Sequence, residues 1–151
     1  MISMDERVTV SLVNGMHLQA FTPDFPEVIP LDSDESVGGQ GLGHRPLNML
    51  LVGLGGCMAM DVVSILRKKR QDFSDLRISF DVQRAEEHPK IFTRIQMHFR
   101  VVGDGVSEEA LARALELSYT KYCPANAMLS QAAQIDYTYE IIPQAQALAR
   151  Q

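Results

Sequence analysis

Residues 46–70 read PLNMLLVGLGGCMAMDVVSILRKKR. Pro46 suits the first position of a helix, where its missing N–H is no loss. Leu47, Leu50, Leu51, Leu54, Met58, Val62, Ile65 and Leu66 fall close to a 3.6-residue period. Arg67-Lys68-Lys69-Arg70 closes the run with cations, which favour the negative end of a helix dipole. The spacing predicts one long helix from Pro46 to about Arg70, apolar enough in its middle to be buried on most sides. Gly53, Gly55 and Gly56 each cost such a helix roughly 1 kcal/mol relative to alanine. Close approach of another helix or backbone is the expected compensation. Gly53, Gly56, Cys57 and Met60 share one face, so Cys57 is expected on the close-packed side.

Before this helix, Val8, Val10 and Leu12 alternate with polar residues, the two-residue period of a half-buried strand. Asn14-Gly15 signals a hairpin, with His17 to Phe21 as the return strand. Glu27 to Leu31 reads as a short edge strand among Pro23, Pro26 and Pro30. Asp32 to Arg45 holds four glycines without dinucleotide-binding spacing, and reads as a flexible connection ahead of a segment lying over a site.

After the helix, Ile78, Phe80 and Val82 face one way, as do Thr93, Ile95, Met97, Phe99 and Val101. The polar run Ala85 to Lys90 makes these two strands an antiparallel hairpin, with His98 on the sheet's polar side. Ser107, followed by Glu108 and Glu109, is a helix cap with acids at the positive end. That helix is expected to reach Tyr122; a second runs from Pro124 to about Ala133, and Ile135 to Ile142 is the last strand. The chain thus reads as a single α+β domain over residues 1–151.

Bulk properties exclude several function classes. Apolar residues form 46% and charged residues 22% of 151, ordinary for a globular protein. A net charge of −5 gives no positive field to release phosphate counterions, so nucleic acid is not an expected partner. The apolar run Met49 to Met60 falls short of the roughly 20 residues of a membrane span, and no signal-peptide pattern opens the chain. The expected setting is the cytoplasm, without membrane association. His17, His44, His88 and His98 lack paired ligand spacing and there is no CxxC, so neither a metal nor another cofactor is expected.

The chemistry then rests on the only two cysteines, Cys57 and Cys123. Cys123 precedes Pro124 and so sits at a helix N-terminus, where unpaired N–H groups favour a thiolate. Cys57, about three turns into its helix with Asp61 one turn on, has no such help from a helix end. Small buried cysteines also serve simply as packing.

Pro46…Leu50-Leu51…Gly53-Leu54-Gly55-Gly56-Cys57…Asp61-Val62-Val63…Ile65-Leu66 resembles the central-helix signature of the OsmC/Ohr family. Arg84-Ala85-Glu86-Glu87-His88-Pro89 and Lys121-Tyr122-Cys123-Pro124 resemble later segments of its YhfA-like branch, in the same order. The resemblance implies antiparallel sheets around a long buried central helix and an intertwined homodimer with sites at the subunit interface. It implies a peroxidase of organic hydroperoxides in oxidative-stress defence. Cys57 would become a sulfenic acid, Cys123 would resolve it to a disulfide, and an external dithiol would reduce that bond. Family peroxidases favour the thiolate with an arginine held by a glutamate near the helix start. Leu47 and Asn48 occupy the glutamate positions here. Arg7 and Arg45 are candidate arginines, and Glu35 is a candidate replacement acid. The alternative is a non-catalytic member that binds a small apolar molecule at the dimer interface.

Overall fold

The computed structural model describes residues 8–149. The chain divides into two compact units, Met1–Val52 and Gly53–Gln151, the division falling within the long helix.

In the first unit, β1 (Thr9–Asn14), β2 (His17–Thr22) and β3 (Phe25–Leu31) form an antiparallel sheet in that order. The first hairpin turns one residue later than Asn14-Gly15 implies. Asn14 pairs with His17, and of the turn residues only Gly15 takes a left-handed φ, 52°. Gly15 therefore sits at the first central position, which only glycine occupies cheaply. Pro26 and Pro30 lie within β3, which is an edge strand as their missing N–H groups require.

The glycine-rich segment after β3 is more ordered than a flexible connection. His44 N–H donates to the Pro30 carbonyl at 2.9 Å and Asp32 N–H to the His44 carbonyl at 3.1 Å. The buried Asp32 carboxylate accepts N–H groups of Ser33, Gln40 and Leu42 at 2.8, 3.1 and 2.9 Å. The Leu42 N–H foremost holds the Asp32 carboxyl below its usual range. At Gly43 an added Cβ would lie 2.5 Å from the Leu31 nitrogen, so the glycine is required by close approach to β3.

The long helix is α1 (Pro46–Lys68). At 23 residues it is, by length and composition alone, long and apolar enough to cross a membrane, because the helix extends beyond the Met49–Met60 run at both ends. Leu54, Met58, Val62 and Leu66 form one fully buried stripe, as in a core helix. The other side remains exposed in the single chain: Val52 and Met60 are 60% and 75% accessible. Burial on most sides is therefore not achieved within one chain. Gly55 is the close-packed one, its ideal Cβ falling 2.9 Å from the Phe80 ring, whereas Gly53 and Gly56 meet nothing within 4 Å among the described residues.

The rest of the second unit is an α+β layer. β4 (Asp75–Arg84) pairs antiparallel with β5 (Phe92–Val102), as the hairpin pattern predicts. α2 (Glu108–Leu117) begins at Ser107, whose Oγ accepts the Ala110 N–H at 3.1 Å. It gives way to a π-helical turn, Ser118–Tyr122, then α3 (Pro124–Leu129). β6 (Gln134–Ile142) returns parallel to β5, so this sheet, ordered β4-β5-β6, is mixed. A parallel return requires a crossover, and α2 through α3 supply it. A short helix, α4 (Gln144–Leu148), follows.

β5 is the central strand, and Ile95, Met97, Phe99 and Val101 on it have zero accessibility. Phe99 also meets Tyr137 edge-on at 6.2 Å. Phe99→Ala is expected to destabilise the chain by about 3–5 kcal/mol, read as a lower denaturant midpoint with an unchanged slope.

Candidate functional site

Cys57 lies midway along α1 and is half-buried; Cys123 is the N-cap residue of α3 and is buried. They are 66 residues apart in the sequence. The fold nevertheless brings the Cys57 side chain close enough to Cys123 to act on its thiol. Both are free thiols.

The helix N-terminus acts on Cys123 as the sequence implies, but burial outweighs it. Asn126 N–H donates to Cys123 Sγ at 3.3 Å. Desolvation is the largest influence and pushes the thiol from 9.0 up to about 11. The Asn126 N–H opposes the rise, the hydrogen bond and charge of Cys57 add to it, and the Ala125 N–H opposes it more weakly. The expectation that Cys123 sits in a thiolate-favouring environment is therefore corrected: α3 is six residues long, and its few N–H groups do not offset the loss of water.

Asp61 does not stand free beside Cys57. Its Oδ2 accepts the Ser118 hydroxyl at 2.8 Å. Ser118 is fully buried at the start of the π-helical turn, and its carbonyl accepts the Cys123 N–H at 2.9 Å. Asn126, also buried, donates its side-chain amide to the Tyr119 carbonyl at 2.8 Å, and Tyr119 donates its hydroxyl to the Ile135 carbonyl at 2.7 Å. The segment carrying Cys123 is thus fixed from several directions. Ser118 and Asn126 are missing from the sequence reading. Both had a signal. Ser118 continues the apolar stripe Leu111, Ala114, Leu115, where a hydroxyl needs a partner. Asn126 stands at the N3 position after Pro124.

Arg7 lies outside the described residues. Arg45, in the first unit, pairs with Asp34 at 3.8 Å, both partly exposed. Asp34, not Glu35, is thus the acid opposite Arg45. The first turn of α1 carries no acid, in keeping with Leu47 and Asn48 at those positions. His98 lies on the polar side of β5, 2.7 Å from Thr138 Oγ1 and 3.2 Å from Glu140 Oε1. Among the described residues no three His, Cys, Asp or Glu side chains cluster to hold a metal.

The fold has relatives. The profile of the family described as OsmC-like protein matches residues 39–138, two thirds of the chain. The chain belongs to the OsmC-like family. Within it, the chain is 45% identical over 97 residues to protein YhfA of Escherichia coli strain K12, covering 64% of this chain and 72% of that protein. A hypothetical protein from Aquifex aeolicus VF5 superposes with a TM-score of 0.80 at 32% identity, covering 91% of this chain and 96% of that one. An organic hydroperoxide resistance protein OsmC from Legionella pneumophila has the same fold, with a TM-score of 0.66 at 13% identity over 89% and 96% of the two chains. The OsmC-like fold accounts for the α+β class and the element order expected from the sequence.

Proposed function

We propose that the protein is a thiol-dependent peroxidase that reduces organic hydroperoxides, with Cys57 as nucleophile and Cys123 as resolver. The observation that carries this reading is the juxtaposition of two free thiols from distant segments, one half-buried and one buried. The Cys57 thiolate attacks the terminal oxygen of the hydroperoxide; the O–O bond breaks and the alkoxide leaves as the alcohol after taking a proton. Cys57 is then a sulfenic acid. The Cys123 thiolate attacks that sulfur, the S–O bond breaks, and the hydroxide leaves as water, giving a Cys57–Cys123 disulfide. An external dithiol supplies two electrons and two protons to restore both thiols. The expected setting is the cytoplasm, where dithiol reductants operate. The reading calls for a cation to activate Cys57, with Arg7 and Arg45 as its candidates from the family resemblance. An apolar, half-buried thiol favours alkyl peroxides over strongly hydrated hydrogen peroxide. The test is turnover of cumene hydroperoxide against hydrogen peroxide with a dithiol present; equal rates for both, or none, would remove the reading.

The reading includes a homodimer, as the family resemblance implies. Its support in the chain is the exposed apolar side of α1, with Leu50, Val52 and Met60 uncovered beside Gly53 and Gly56. Alanine at either glycine would aid an isolated helix by about 1 kcal/mol. Against a second α1 a large side chain there would instead prevent approach. Gly56→Leu is therefore expected to sediment as a monomer while the native chain sediments as a dimer. An unchanged dimer would sink the helix-on-helix arrangement.

One observation favours the second reading, a non-catalytic member that binds a small apolar molecule. An open groove of about 520 Å³ runs along α1, lined by Ala59, Met60, Val63, Ser64, Arg67 and Lys68. Saturable binding of an apolar dye by the Cys57→Ser chain, with no peroxide turnover by the native one, would favour it.

A further inference from the structure

Two polar groups lie where the helices are otherwise apolar. Asp61 is one turn beyond Cys57 on the same side of α1. Ser118 is wholly buried at the junction of α2 and the π-helical turn. A hydroxyl in that position must bond, since a buried unpaired donor is expensive. It donates to Asp61 Oδ2 at 2.8 Å. The same residue's carbonyl accepts the Cys123 N–H at 2.9 Å, the bond that closes the π turn. A continuous hydrogen-bonded path therefore runs from the backbone of one cysteine to the helix of the other: Cys123 N–H, Ser118 carbonyl, Ser118 hydroxyl, Asp61 carboxylate. Tyr119 ties the turn to β6 and Asn126 ties it to α3; Ser118 ties it to α1. π-helical turns are uncommon and recur at functional sites. Here the extra residue brings Cys123 to the start of α3 while Ser118 stays opposite Asp61.

We propose that Asp61 and Ser118 are a positioning pair that holds the Cys123 turn against the Cys57 helix and thereby sets how readily the Cys57–Cys123 disulfide forms. Neither touches the peroxide. Their effect is on the effective concentration of one thiol at the other, which falls steeply when either is freed to move. The inference rests on the cysteine-pair reading above, but its test does not need peroxide.

The reduced full-length protein is equilibrated with glutathione redox buffers and the fraction of Cys57–Cys123 disulfide is measured. Glutathione disulfide takes two electrons from the thiol pair, giving two glutathione thiols and the protein disulfide. Ser118→Ala is expected to lower the equilibrium constant about tenfold, raising the reduction potential by about 30 mV. Asp61→Ala should do the same, and the double variant should lose no more than either single one. Asp61→Asn should recover most of the loss, because an amide oxygen still accepts the Ser118 hydroxyl. A constant unchanged by Ser118→Ala or Asp61→Ala would overturn the inference. So would an Asp61→Asn chain as impaired as Asp61→Ala, which would assign the effect to charge. Asp61 is half-buried, so the Asn and Ala comparison remains decisive if Ser118→Ala does not fold. A native chain inert to hydroperoxide but showing these shifts would remove the peroxidase reading and leave the positioning pair standing.

Discussion

Cys57→Ser is expected to reduce hydroperoxide consumption to the uncatalysed background, while Cys123→Ser still reacts once per chain. The asymmetry follows from position. On the proposed mechanism the half-buried Cys57 is the thiol a peroxide meets first, and the serine hydroxyl does not replace a thiolate as nucleophile. Cys123 is buried at the N-cap of α3, and on the same mechanism acts only on the sulfur of Cys57. In Cys123→Ser the sulfenic acid has no partner within the chain, so it should be trapped by dimedone at Cys57. It should also pass to sulfinic acid under excess peroxide. The measurement is mass spectrometry of the two variants after one equivalent of tert-butyl hydroperoxide. Dimedone labelling at Cys123 in the Cys57→Ser chain would reverse the roles assigned here.

The second large effect is in pH. Burial, the greatest influence, holds the Cys123 thiol up to about 11, so only a small fraction is thiolate at neutral pH. Below its pKa the thiolate population grows tenfold per pH unit, and the resolving step should accelerate by about that factor per unit from neutrality upward. Oxidation of Cys57 removes that residue's thiol hydrogen bond and charge, both of which raise the Cys123 pKa. The midpoint of the resolving step should therefore lie between 9.0 and about 11. The same shift links to stability with a definite sign. The folded state favours the neutral thiol, so its contribution is complete below the unfolded value. It is lost as pH rises from 9.0 through about 11. Stopped-flow measurement of disulfide formation after a peroxide pulse gives the profile. A rate independent of pH from neutrality to 9.0 would mean a low-pKa resolving thiol, which the buried N-cap position contradicts.

Much of this architecture is legible in local chemistry. Pro46 and the 3.6-residue period locate α1, Ser107 with two acids locates α2, and alternation locates the β4–β5 hairpin. What local pattern does not carry is direction, face and burial. Residues 135–142 alternate equally well in a strand of either sense; only the pairing with β5 makes β6 parallel. The glycines of α1 lie on two sides, and periodicity alone does not say that Gly55 meets Phe80 while Gly53 and Gly56 stay uncovered. At Cys123 the sequence displays the helix start but hides the desolvation that overrides it. The partnership of Asp61 with Ser118 spans distant segments, yet each stands out as a polar residue within an apolar stripe. Pairing such mismatches is a way to find a site before a structure exists.

The central claim is that Cys57 and Cys123 form one redox unit driven by organic hydroperoxide. Its most direct test is a count of free thiols in the fully reduced native protein before and after one equivalent of tert-butyl hydroperoxide, with the disulfide located by peptide mass. Both thiols of each chain are expected to be lost and both recovered on adding a dithiol, with a single Cys57–Cys123 cross-link in between. Two free thiols persisting under excess hydroperoxide would contradict it.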